Sequence, residues 1–490
     1  MSLENLPVEW SVSQLTKMIA SEGLISDGDW IESKDQDEKG DIRLIQLADI
    51  GDGDFRDKSN RYMNQDAFDR LNCVELKAND VLIARMPDPL GRACIFPKLP
   101  YKCVTVVDVC LIRTGEHSAI SPKLLKYWIN STQIRNLIAI NATGTTRKRI
   151  TRKKLESFDF PVPPLAEQQE IVRQLDAMLA QVEQIKTRLD AIPTILKKFR
   201  QSVLADAVSG KLTEEWRENN AHILDVEKDY SDLIIAEKNI INKKKNDLKK
   251  IKEEKFKLRN NLVDFEKYSF SYPLGWKIFP FFELALLNRG FDLPNSVRTE
   301  GEYPILSAGG LIGFHNEYKV KGVCVTVGRS GSVGKVFISE KNSWPLNTTL
   351  YVKDFGFSNP KYVYWALMSM DLAKYSSSTA VPSLNRNEFM LEPVAIPPLN
   401  EQLEIVKRLE LNLEYANQSE SLIRSAQKRV NLLTQSILAK AFSGELTAEW
   451  RTQHQDLITG VNSAESLLAK IQAEREASKP AKKTRKKKEV

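Results

Sequence analysis

The stretch "PPLAEQQEIV" at residues 163–172 returns as "PPLNEQLEIV" at 397–406, with eight of ten positions identical. The same offset of 234 residues, without a gap, lays "QSVLADAVSGKLTEEWR" (201–217) on "QSILAKAFSGELTAEWR" (435–451), where twelve of seventeen agree. Solenoid repeats recur every ~20–50 residues, so this period belongs to the duplication of one large folding unit. The constraint is strong: whatever the first copy folds into, the second must fold into as well. At 490 residues, and about 100–200 residues per domain, there is room for three or four bodies.

Each copy opens on a related phrase, "LPVEW" (6–10) and "YPLGW" (272–276), and proceeds through strand-like runs. In the first these are "DIRLIQLADI", "DVLIAR" and "CVTVVDVCLIR", then a helix "SPKLLKYWINS"; in the second, "YPILSAGG", "GVCVTV", "KVFIS" and "NTTLYVKD", then a helix "NPKYVYWALMS". Gly, Asp and Pro punctuate the runs, as turns between strands require. The frame repeats and the filling does not.

After each Pro-Pro the pattern changes to steps of four and three. Ile171, Leu175, Met178, Val182, Ile185, Leu189, Ile192, Leu196, Phe199 and Val203 trace an a/d seam, the signature of a coiled coil. The matching second-copy positions, from Ile405 to Ile437, include the small or polar Asn412, Ala416, Ser419 and Ala426, against which a bulkier seam would fit, and Asn412 is expected to fix register. Pro193 is expected to kink or break the first helix, and Ser209-Gly210 and Ser443-Gly444 to end the two. The resulting fold class is α+β: two mixed α/β domains separated by long helices that pair as an antiparallel coiled coil, in a pseudo-two-fold internal repeat. The boundaries read as 1–160 for the first domain, 161–217 for its helical spacer, 218–268 for a charged helical linker, 269–396 for the second domain, 397–451 for its spacer and 452–490 for an extension with a basic, disordered tail.

Net charge is +7, and the tail "KPAKKTRKKKEV" contributes most of it. Elsewhere positive charge is local, at "RKRITRKK" (147–154) and "KKKNDLKKIKEEKFK" (243–257), against an acidic remainder. That distribution fits contact with a polyanion at chosen places. Arg147, Lys148, Arg149, Arg152 and Lys153 are candidates for phosphate contact. The strand–turn–strand segments 80–96 and 322–338 offer Arg85, Arg92, Arg329 and Lys335 to bases or backbone.

Catalytic motifs are thin. "GRSGSVGKV" (328–336) has Arg329 where a phosphate-binding loop needs its first Gly and Val336 where it needs Ser or Thr. "NPKY" (359–362) has Lys361 where an amino-methyltransferase motif has Pro. Asp66 with Glu75 and Lys77 leaves a nuclease site as a minor reading. Five cysteines without a C-x-x-C pair and four scattered histidines give no zinc pattern. The opening "MSLENLPVEW" lacks a secretory leader's regions, and a cytoplasmic location without membrane contact is expected.

The order of mixed domain, "PPLxEQ", long helix and "SGxLTxEWR", given twice, resembles the specificity (S) subunit of type I restriction–modification enzymes. The resemblance spans essentially the whole chain. It implies two target-recognition domains, each reading half of a bipartite target in double-stranded DNA. It implies that Pro164, Leu165, Glu167, Gln168 and Trp216, with Pro398, Leu399, Glu401, Gln402 and Trp450, belong to a spacer frame that docks two methyltransferase subunits. Restriction/translocase subunits would complete the complex, and S-adenosylmethionine, ATP and Mg²⁺ would serve the partners, none being bound by this chain. A structural coiled-coil DNA-associated protein and a free-standing nuclease are the alternatives.

Overall fold

The structure is a computed structural model that describes residues 5–477 apart from 88, 146, 221–249, 252–253, 256–257, 259–271, 274 and 377–381. The basic tail and most of the charged linker therefore lie outside the described residues. The chain forms two compact units: Met1–Asp190 with Ser425–Val490, and Ala191–Arg424. Each unit combines the mixed domain of one copy with the "SGxLTxEWR" phrase of the other.

In the first unit a four-stranded antiparallel sheet runs Leu24–Asp27, Val109–Arg113, Val81–Ala84, Ala93–Ile95. A three-stranded sheet runs Tyr62–Met63, Ile42–Ile45, Cys103–Thr105, its last pair parallel. The expected single run "CVTVVDVCLIR" is thus two strands in two sheets. The helix Pro122–Asn130 is capped by the Ser121 side chain, with Pro at its first turn, both ordinary helix-start devices. It buries Leu124, Leu125 and Trp128 in a core that also takes Ile171 and Leu175 from the first long helix and Leu438, Ala441 and Phe442 from the second. Trp128 packs edge-on against Phe442 at 4.8 Å. Strand Ser11–Gln14 pairs with Asp159–Val162, which closes the domain at the root of its helix.

The second unit has the same topology from different residues. Its four-stranded sheet runs Leu286–Arg289, Thr349–Asp354, Cys324–Gly328, Val336–Ser339, and its three-stranded sheet Gly310–His315, Tyr303–Ser307, Trp344–Pro345. Strand Lys277–Pro280 pairs with Pro393–Ile396. Asn359 of "NPKY" caps the helix Pro360–Ser369, accepting from the amides of Lys361 and Tyr362, while Tyr362 is core.

The long helices span Leu165–Ser209 and Leu399–Phe442. In the first unit Glu167 meets Arg451 and Asp190 meets Gln427. In the second, Arg200 meets Glu420 and Arg217 meets Glu401. Rising numbers in one helix face falling numbers in the other, so the pairing is antiparallel. Two expectations need correction. Pro193 does not break the first helix, which runs on through it; it sits on an exposed face, where water can take the carbonyl that the missing N–H leaves free. Asn412 donates to the Arg408 carbonyl of its own helix and so does not cross to the partner. Polar contacts that do cross between the two helices include Arg200 to Glu420 at 2.8 Å and to Asn417 at 2.9 Å, and Gln427 to Asp190 at 2.8 Å.

The repeat also extends further than the sequence shows. In the first unit the helix Ala464–Ala477 buries Ala464 and Ile471 in the core and sends Arg475 to the Thr16 carbonyl in the short helix Leu15–Met18. In the second, Ile251 and Leu258 join the core and Lys255 lies between Asp354 (2.9 Å) and Glu283 (3.9 Å). Glu283 belongs to Phe281–Leu284, the counterpart of Leu15–Met18. The segment after each "EWR" thus packs on the same part of its domain.

Candidate nucleic-acid interface and its helical frame

The duplicated phrases meet around a buried carboxylate. Glu167, fully buried, accepts from Trp10 Nε1 at 2.8 Å, Thr447 Oγ1 at 2.7 Å, and Arg451 Nε and Nη2 at 3.0 and 2.7 Å. Arg451 Nη2 also donates to the Gly444 carbonyl. In the second unit Glu401, equally buried, accepts from Trp276 Nε1 at 2.9 Å, Thr213 Oγ1 at 2.8 Å and the Arg217 guanidinium, and Arg217 donates to the Gly210 carbonyl. Each cluster takes Glu and Trp from one copy and Thr, Arg and Gly from the other. The clusters are crossed. A buried carboxylate is tolerated when a guanidinium and further donors satisfy it, and removal of one partner costs about 3–5 kcal/mol.

Gly210 and Gly444 have φ of +79° and +78°, the left-handed conformation that ends a helix. A Cβ at either would come within 2.4 Å of a proline ring, Pro273 and Pro7 respectively. Those prolines belong to the opening phrases, so the helix stop and the domain start are one packing unit. Gln168 and Gln402 donate to the Pro163 and Pro397 carbonyls and accept from the amides of Ser121 and Asn359, the residues that cap the equivalent domain helices. Glu167, Gln168, Glu401 and Gln402 therefore hold the frame from inside. Leu165 and Leu399 are exposed, and Trp216 and Trp450 are partly so. Trp10, Trp276, Thr213, Thr447, Arg217 and Arg451 all stand within matching phrases of the sequence. Nothing in those phrases signals that they cross.

The candidate cations divide. Arg85 is 3% exposed and pairs with Asp27 at 2.6 Å; Arg92 is 6% exposed and donates to the carbonyls of Leu47, Ile50 and Pro89. The expectation that these two face DNA is corrected: they are interior struts. Burial lowers the Arg85 pKa, with Asp27 opposing. Arg149 donates to the Val107 carbonyl at 3.1 Å, and Arg152 to the Ile25 carbonyl at 2.8 Å. Arg147, Lys148, Lys153 and Lys335 are exposed and Arg329 half-exposed; none of the five has an ion-pair partner among the described residues. "GRSGSVGKV" forms a strand–turn–strand hairpin between Cys324–Gly328 and Val336–Ser339. No cluster of three His, Cys, Asp or Glu side chains suited to a metal ion occurs among the described residues, so Asp66 and Glu75 join no such group. No described helix is long and apolar enough to cross a membrane.

A family model for the type I restriction modification DNA specificity domain matches residues 7–194 and 273–421. The chain belongs to that family. Among members of the specificity family, the EcoDI subunit of Escherichia coli is 31% identical, across 99% of this chain and 100% of that one. The EcoBI subunit of Escherichia coli is 36% identical across 72% of each. Among solved structures, the HsdS subunit of Thermoanaerobacter tengcongensis superposes with a TM-score of 0.56 at 15% identity, covering 91% of this chain and 99% of that one. A chain from a structural study of type I R-M complex assembly and conformational transition gives 0.60 at 14% identity, covering 89% and 98%. These structural likenesses establish the fold.

Proposed function

We propose that this chain is the non-catalytic DNA-recognition subunit of a type I restriction–modification complex. Each mixed domain reads one half of a split target, and the paired helices hold the two readers. The observation that carries this reading is the pair of crossed frames: identical chemistry around Glu167 and Glu401 supports domains that share topology but not surface. Duplex DNA presents equivalent grooves to equivalent readers, and dissimilar half-sites demand dissimilar loops.

Two methyltransferase subunits dock on the helical frame, where Met178, Ile185, Leu403, Leu411 and Leu422 stand exposed and leave apolar surface for a partner. Restriction/translocase subunits complete the assembly, and S-adenosylmethionine, ATP and Mg²⁺ act in the partners. The test is methylome sequencing of the source cell with and without this chain. A bipartite methylated motif that vanishes with the gene is the expected result. An unsplit motif, or one that persists without the chain, would overturn the assignment.

A further inference from the structure

The two domains build the same hairpin and, tied beside it, the same start of a short helix. In the first, the hairpin tip between Ala84 and Ala93 closes through Gly91, whose amide donates to the Ala84 carbonyl at φ +77°. In the second, Gly334 donates to the Gly328 carbonyl at φ +78°. A second segment lies beside each hairpin and shares one tie with it, Ile150 N–H to the Arg85 carbonyl at 3.2 Å and Leu384 N–H to the Arg329 carbonyl at 2.9 Å; in the second domain Ser330 and Ser383 are bridged as well. Directly after the tied residue, Thr151 or Asn385 caps a short helix with its side chain. The next residue, Arg152 or Arg386, is anchored to the carbonyl of Ile25 or Leu287 in the edge strand of the four-stranded sheet. The scaffold under the loops is thus the same, residue for residue.

The charge on the loops is not. In the first domain the hairpin tip carries Met86, Pro87, Pro89 and Leu90, which give few hydrogen-bond donors. The neighbouring loop, closed by the Thr143–Arg149 bridge, presents exposed Arg147 and Lys148. In the second domain the hairpin itself carries Arg329 and Lys335. Between them the amides of Ser332 and Val333 donate to no acceptor among the described residues, and the preceding Gly331, beside the Ser330–Ser383 bridge, has φ +86° with open space around it. Successive free amides beside a left-handed residue form an anion-binding concavity.

We propose that these places carry a phosphate-binding rim in each domain, the loop 143–149 in the first and the hairpin 328–336 in the second, gripping the backbone of duplex DNA. The first domain supplies the grip through Arg147 and Lys148, the second through Arg329, Lys335 and the amides between them. This rests on the reading of the chain as a DNA-recognition subunit. Backbone contacts orient a reader on the duplex without selecting sequence, so the same rim serves two domains that read different bases.

The experiment uses the full chain assembled with its methyltransferase, and measures affinity against salt on a duplex with the methylated motif and on an unrelated duplex. The variants are Arg147→Ala with Lys148→Ala, and Arg329→Ala with Lys335→Ala. Each pair is expected to weaken both duplexes alike and to lower the salt slope by about 2, near one for each phosphate that loses its cation. Arg147→Lys with Lys148→Arg should keep the wild-type slope. Lys34→Ala with Lys39→Ala, which removes as much charge from the segment before the strand Ile42–Ile45, should leave it unchanged. Wild-type slopes in both rim variants, or an equal fall in the Lys34/Lys39 variant, would overturn the rim. Failure of the wild type to prefer any split site would instead strike the recognition reading, because the slope is also read on unrelated DNA.

Discussion

At the residue scale the buried carboxylates matter most. Glu167→Gln keeps the shape of the cluster but leaves the Arg451 guanidinium, normally bonded at 2.7 and 3.0 Å, without its counter-charge. Loss of about 3–5 kcal/mol is expected, read as a lowered midpoint in chemical denaturation, and Glu401→Gln should act similarly in its own unit. Equal stability of Glu167→Gln and wild type would show that the cluster is dispensable. The five cysteines offer a second check. All are buried, and burial pushes the thiols of Cys73, Cys94, Cys103, Cys110 and Cys324 up to about 12. The thiolate is the reactive form, so at pH 8 the folded chain should resist alkylation that the denatured chain undergoes fully. Arg85 and Arg92 show where residue-level reading fails. An arginine beside a turn reads the same in sequence whether it points to solvent or, as here, caps carbonyls in the interior.

At the scale of elements, the a/d seam made the long helices legible, because periodicity over forty residues reports one buried stripe. It did not report how little of the stripe a single partner helix covers. Ile171, Leu175 and Val182 are buried, while Met178 and Ile185 are exposed, so part of the seam stays open in this chain. The helix Ala464–Ala477 was illegible as a repeat, since Ile471 in the core and Arg475 on Leu15–Met18 stand at the 234-residue offset from Glu237 and Ile241 in the sequence. Topology is preserved there where sequence is not. Ile471→Ala should cost about 2–5 kcal/mol and speed amide exchange in residues 15–18. Unchanged exchange there would show that this helix does not brace the domain.

At the scale of the whole molecule, the chain passes between its two units at 190–191 and again at 424–425, both times within a long helix. The helices should therefore set the gap between half-sites. Because they run antiparallel, positions related by the repeat are not opposite one another; the bond from Gln427 to Asp190 marks positions that are. One heptad inserted after Asp190 and another before Gln427 keeps the seam in phase and lengthens each helix by about 10 Å. At about 3.4 Å per base pair along a strand that is roughly three base pairs, with a rotation of about 100° to follow the groove. Loss of activity alone could reflect misdirected domains, so the assay selects methylated sites from DNA libraries with randomised spacer length. The expected outcome is unchanged half-sites separated by a longer gap. A folded, active variant that retains the original gap would show that something other than helix length sets the spacing.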